Sequence, residues 1–512
     1  MPAIITDQFR ILNADTFTKS LTGIGTTTNN YYSFLAHPNP TFDDVENYGD
    51  ASNWPTEPMD SFQQENLYHD SMLFLKRITS QDVAKVVPRY DWTSGVIYDM
   101  YRNNYDIDNE APQTSAKTLY DSKFYVMNSE YRVYLCINNG SNPSFTGGQK
   151  SIVEPTGTNI QPQTSSTDGY TWKYLFSINP SEIIKFTTDD YIPVPSVWGD
   201  ADTEDVKNAA QDGHIETIVI LDRGNGYAKG GLSNFTVNNV EIEGDGTGGE
   251  ATIIIKGGEV DNIVVSNGGS GYTRAFVRLI SGKDGITSVG AGQEASFEVP
   301  IPPRGGHGFD IYRELGSYRV MIYSKYDADP DYVIGNDFSR VGIIKNPLGF
   351  SGSLINSSTA TSLGAIKLAG TPPDYPINSR IVQEVGAGQT AMGYVASYNS
   401  ETKVLRYYQP VGISTFPSAG FTLNKFSGTN VIDSFDANNN PNVTPAGSPD
   451  ASFNGNTVTV GSKSISLGQG FTAGYANPDI KIYSGDIIYI DNRAPITRSS
   501  SQKEEVKIVV EF

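Results

Sequence analysis

Cysteine is all but missing from these 512 residues: only Cys136 occurs, inside the strand-like run Tyr131-Arg-Val-Tyr-Leu-Cys-Ile137. No intramolecular disulfide can form, which suits a chain folded in a reducing cytoplasm. The thiol reads as a buried structural group rather than a nucleophile. Histidine is scarce as well. His37, His69, His214 and His307 show no ligand-like spacing. With one cysteine, a Cys/His zinc site is effectively excluded, and the four rings read as core or solvated groups. Basic residues are outnumbered, 37 Lys and Arg against 57 Asp and Glu, for a formal net charge of −20. No basic excess exists to displace phosphate counterions, so nucleic acid is not an expected partner. Long apolar runs are also absent, and Met1-Pro-Ala-Ile-Ile-Thr-Asp7 lacks the features of a signal peptide. The expectation is a soluble chain with no membrane partner, neither exported by a standard signal nor anchored.

Glycine and aromatic residues are plentiful: 51 Gly, 28 Pro, 30 Tyr and 23 Phe. That composition predicts a mainly β protein, with many short strands joined by Gly, Pro and Asn turns, and the length predicts two to four domains. A weakly helical stretch is predicted at Phe9–Phe17, and a longer helix over about Ser61–Ile78, where Leu67, Ser71, Phe74 and Ile78 recur at helical spacing. Strands are predicted at Phe124–Met127, Arg132–Ile137 and Asp168–Phe176. In the last of these Tyr170, Trp172, Tyr174 and Phe176 would share one aromatic face, suited to a core or a subunit seam.

Near Gly213 the texture changes. Gly213–Tyr227 is repeated at Gly258–Tyr272, an offset of 45 that aligns Ile218 with Ile263 and Tyr227 with Tyr272. A second strand follows in each copy, Glu250–Ile255 and Glu294–Val299. Two copies can pack only on each other, so a compact β module is expected. A polar stretch from about Ser351 to Tyr475, with a turn cluster at Asp436–Pro441, reads as a second inserted β domain. The expected organisation is a core made of 1–204, 304–350 and 476–512, interrupted by insertions at 205–303 and 351–475. The closing segment reads as a strand from Tyr483, a polar turn marked by Asn492 and Pro495, and a final strand alternating at Val506, Ile508, Val510 and Phe512.

Motifs for chemistry are few. Gly244-Asp-Gly-Thr-Gly-Gly249 matches a dinucleotide-loop pattern, but β-branched residues follow it where a helix would be needed, so a strand–turn–strand is expected. Asp327-Ala-Asp-Pro-Asp331 opens like a Ca²⁺ loop. Tyr332 stands where Gly is required and Phe338 where a bidentate carboxylate is required, so an acidic surface turn is expected. No catalytic constellation stands out, and no cofactor is expected.

Several separated segments resemble one family, the small baseplate wedge subunit of T4-like contractile-tailed phages. They are Phe9-Arg10, Gly23-Ile-Gly25, Asn30-Tyr-Tyr-Ser-Phe34, Val87-Pro-Arg-Tyr-Asp-Trp92, Asp168–Ile178, Tyr191-Ile-Pro-Val-Pro195, Ile343–Leu348 and Ser484–Ile496. The resemblance implies a β-sandwich with long loops and a few short helices. It also implies a structural subunit without catalysis, a homodimer that joins other wedge subunits in a virion tail baseplate assembled in the host cytoplasm. Candidate interface residues are Arg89, Trp92, Tyr170, Trp172, Tyr174 and Arg493. The two insertions lie outside the resemblance and are candidates for host-surface contact. Two other readings stand beside it: a carbohydrate-binding or receptor-binding tail protein, and, more remotely, a glycoside hydrolase with a carboxylate pair in a cleft.

Overall fold

Antiparallel sheets make up most of the regular secondary structure among the described residues, with short helices between them. The structure, a computed structural model, describes residues 3–22, 29–38, 57–327, 332–386, 388–409, 424–436, 440–441, 446–499 and 502–512. Gly23-Ile-Gly25, Asp331 with the three residues before it, and the middle of the Asp436–Pro441 turn lie outside the described residues. The chain divides into two units. One comprises Met1–Thr18, Ala84–Met321 and Val509–Phe512, the other Lys19–Val83 and Ile322–Ile508. The helix Asp7–Thr22, much longer than the predicted Phe9–Phe17, begins in the first unit and ends in the second.

In the second unit a five-stranded sheet runs in the order Thr359–Thr361, Met72–Ile78, Tyr31–Ala36, Asp337–Lys345, Asp486–Thr497. Its core includes Tyr32, Phe34, Met72, Leu75, Ile344 and Ile480. Two sequence expectations are corrected here. The helix predicted to Ile78 spans Phe62–Ser71 and stops, and Met72–Ile78 is a strand paired with both Tyr31–Ala36 and Thr359–Thr361. Met72, Leu73, Phe74 and Leu75 are all buried, and an apolar run covered on both faces shows no period that separates strand from helix. Nor do Asn492 and Pro495 make a turn. The strand Asp486–Thr497 continues through them, and between the pairs Phe338–Ile496 and Arg340–Asn492 its register slips, so the proline with no N–H sits in an irregularity of the ladder. The final strand is Glu504–Glu511, with Ile508 buried. A six-stranded sheet in the same unit runs in the order Asp433–Phe435, Arg380–Gly386, Gln389–Asn399, Val404–Tyr408, Gly364–Lys367, Tyr475–Ala476.

In the first unit, Tyr125–Met127, Arg132–Asn139, Tyr170–Ser177 and Gln163–Thr164 form a four-stranded sheet in that order. Val133 faces Phe176 and Tyr134 faces Tyr174, so Leu175 is an extra residue on its strand. This bulge turns Phe176 out of the predicted aromatic face. Phe176 packs with Leu175, Ile192 and Leu315, while Tyr170 and Trp172 pack with Tyr98, Tyr134 and Cys136. At the chain end Arg10 pairs with Glu511 at 2.7 Å, Arg319 pairs with the same carboxylate at 2.9 Å, and Phe17 meets Phe512 at 5.3 Å between ring centres.

The repeat has its own core, whose buried members run from Ile215 to Val299. Its two copies exchange partners. Val219–Asp222 of the first copy pairs with Ser296–Glu298 of the second, and Glu259–Ser270 of the second pairs with Thr247–Lys256 of the first. The offset of 45 between the two tyrosines has the same logic. The Tyr272 hydroxyl donates to Ile242 C=O at 2.7 Å and accepts from Gly249 N–H at 3.1 Å. The Tyr227 hydroxyl donates to Leu279 C=O at 3.0 Å and accepts from Ala295 N–H at 2.7 Å. Gly244–Gly249 leads into the strand Thr247–Lys256 and not into a helix.

Candidate functional site

The strand Tyr170–Ser177 gathers most of the candidate residues. Tyr170, Trp172 and, at the edge, Trp92 and Tyr174 form one cluster with Tyr98, Met100 and Cys136. Tyr170 stacks on Trp172 at 5.3 Å, and Tyr98 meets the indole edge-on at 5.9 Å. Tyr170 and Trp172 are buried within this unit, whereas Tyr174 and Trp92 keep some exposure; the Trp92 indole N–H donates to Ser151 Oγ at 3.0 Å. Complete burial pushes the Cys136 thiol well above its ordinary pKa, so it stays protonated and inert.

Asp168 explains why this segment opens on an acid. Its carboxylate accepts from the N–H groups of Ile152 at 2.8 Å, Val153 at 3.1 Å and Tyr170 at 3.3 Å, tying a loop to the strand start. Burial alone would raise its pKa, but these donors and the Ser165 side chain outweigh it and hold Asp168 below its ordinary 3.8. A depressed folded-state pKa gives stability that is present above 3.8 and lost as pH falls through the folded value. Asp168→Asn is therefore expected to destabilise the fold by about 1–3 kcal/mol at pH 7. The gap to wild type should close as pH drops below 3.8, which urea melts across an acid series will show.

Beneath the same strand, Lys173 and Glu216 form an ion pair of 2.5 Å whose side chains are 6% and 9% exposed. Arg89 holds Asp91 at 2.9 Å and donates to Thr188 C=O at 2.8 Å. Arg493 belongs to the other unit, where its exposed guanidinium pairs with Asp491 at 2.5 Å. The structure thus brings Trp92, Tyr170, Trp172 and Tyr174 together, places Arg89 in the same unit, and leaves Arg493 in the other.

His37, His69 and His307 are buried and His214 half-buried. Burial lowers His69 to a pKa of about 4. Among the described residues no three His, Cys, Asp or Glu side chains group as metal ligands. Asp327 pairs with Lys325 and Lys503, each at 3.5 Å, and no described helix is long and apolar enough to cross a membrane. Sequence reasoning missed a cleft of about 500 Å³ in the second unit, walled by Phe350, Tyr407, Phe426 and Tyr475 with Lys425 and Lys481. These residues are scattered from Phe350 to Lys481, across the polar stretch and both of its flanks, and no local spacing links them.

These features define a mainly β protein whose most aromatic sheet is built for packing. Its segment 134–218, which covers Tyr134–Asn139, the whole of Tyr170–Ser177 and Glu216, matches a family model described as bacteriophage T4 Gp8. The match supports a phage baseplate wedge-like protein over that part of the chain. No curated protein matches.

Proposed function

We propose that this chain is a structural subunit of a phage tail baseplate wedge, acting as a homodimer that joins neighbouring wedge proteins and turns over no substrate. The family match across 134–218 carries this reading. The matched segment holds the aromatic sheet, the buried Lys173–Glu216 pair and the Asp168 loop anchor, a rigid support for contacts made by Arg89, Trp92 and Tyr174, with Tyr170 and Trp172 packed beneath them. Arg493 is a further contact from the other unit. In this reading 1–204, 304–350 and 476–512 form the sandwich-like wedge core, and 205–303 and 351–475 are insertions open to other contacts, the host surface among them. The self-contained core of the repeat supports the first insertion.

Light scattering on the purified chain should give twice 55.6 kDa, and the dimer should co-elute with the other wedge proteins of its phage. Tyr174→Ala together with Arg89→Ala should abolish co-elution while thermal melting stays close to wild type. A monomer that binds none of those proteins would overturn the proposal.

A further inference from the structure

The second unit holds a cleft of about 500 Å³ whose lining contrasts with the acidity of the chain. Among the described residues no Asp or Glu lines it, although the chain carries 57 of them and a net charge of −20. Instead two exposed lysines reach it, Lys425 and Lys481, and Lys425 sits 4.6 Å over the Phe350 ring. Neither lysine has a carboxylate partner among the described residues. The walls are aromatic. Tyr407 is held edge-on against Phe426 at 4.6 Å and is only 8% exposed. Its hydroxyl has no hydrogen-bond partner among the described residues, and it lies against Gly364, where a Cβ would stand 2.6 Å from it. The residue is mostly buried, and its hydroxyl is held at the cleft with hydrogen-bonding capacity to spare.

We infer that this cleft binds a carboxylate-bearing saccharide, such as a uronic or sialic acid residue of a glycan chain. Aromatic faces accept the C–H face of a pyranose ring, and a few placed polar groups then fix its orientation. Tyr407 supplies one such group. Lys425 and Lys481 supply the charge, and a carboxylate is the anion for which two ammonium groups without acidic neighbours are complementary. A neutral sugar would leave both lysines without a counter-charge, and an uncharged apolar ligand would leave the Tyr407 hydroxyl unpaired. This function goes beyond a scaffold role and does not depend on it.

The test is titration of the full chain, by calorimetry and saturation-transfer NMR, with a panel of uronate-bearing, sialate-bearing and neutral oligosaccharides. At least one acidic member should bind, at least about tenfold more tightly than its neutral counterpart, and its affinity should fall with added salt. Lys425→Met and Lys481→Met should each weaken binding about tenfold, and Tyr407→Phe several-fold, with melting unchanged for the two exposed lysines. Three results would each overturn the inference: no acidic glycan binding at millimolar concentration, equal binding of acidic and neutral glycans, or lysine variants that bind as wild type does.

Discussion

Replacing Arg498 with Met is expected to destabilise the second unit by about 3–5 kcal/mol, because it strands a buried carboxylate. The Arg498 guanidinium, 3% exposed, follows the strand Asp486–Thr497 and meets Glu504, 7% exposed, at 2.9 Å at the start of the last strand. It also donates to the Asp327 carbonyl at 3.0 Å and lies about 6 Å from the Phe74 and Tyr332 ring centres. Glu504 has little else to fall back on, since one of its oxygens already lacks a hydrogen-bond partner. Amide exchange in Asp486–Thr497 reads the effect locally, and protection there should fall by roughly two to three orders of magnitude. The double variant Arg498→Met/Glu504→Leu should recover most of the loss, since two apolar side chains leave no charge unpaired. If the single change costs under about 1 kcal/mol, or the double variant is no better than the single, the pair is not what joins these two strand ends.

The second large effect is expected at two glycines one repeat apart. Gly224 and Gly269 share nearly the same backbone conformation, φ +61° and +59°. At each, a Cβ would strike backbone of the other copy: Ala295 N at 2.6 Å from Gly224, and Gly249 N at 2.5 Å from Gly269. Left-handed strain and overpacking then add, so each Gly→Ala change should cost about 2–5 kcal/mol. Gly230 separates the two contributions. Its φ is +56° but nothing lies within 4 Å of the added carbon, so Gly230→Ala should cost only about 1 kcal/mol. Urea melts of the three variants decide the matter. Equal losses at all three positions would mean that close packing between copies contributes nothing.

The repeat was legible in the sequence for the same reason that these glycines matter. The first glycine of each Gly-x-Gly-Tyr, Gly224 and Gly269, marks a place where backbone of one copy approaches backbone of the other, and only glycine fits there. Short strands with clear alternation or a dense aromatic face, such as Arg132–Asn139 and Tyr170–Ser177, were legible too. What failed was what neighbouring chain decides. Met72–Ile78 is a strand because Tyr31–Ala36 and Thr359–Thr361 lie on its two sides, and nothing within the segment announces them. Phe176 left the aromatic face because of one extra residue, Leu175, whose bulge is visible only in the pairing with Val133 and Tyr134. Asn492 and Pro495 suggested a turn, yet the long partner strand Asp337–Lys345 holds them in line. Of the candidate contact residues, sequence found the cluster around Trp172 but could not tell the buried rings from the accessible ones. The cleft was out of reach, since Tyr407, Lys425 and Lys481 come together only through the fold.

The exchange of strands within the repeat also has a consequence in time. A ribosome delivers Val219–Asp222 well before Ser296–Glu298, the strand it pairs with, and the Tyr227 hydroxyl before the Leu279 carbonyl it caps. During that interval Phe235–Glu241 can already pair with Thr247–Lys256, but Val219–Asp222 and the other edge of Thr247–Lys256 stay open, because their partners belong to the second copy. Completion of the repeat is therefore a late event that waits on the last strand, slowed by loop closure over most of the module. Until then the exposed edges are open to any other strand nearby, including the same segment of a neighbouring nascent chain.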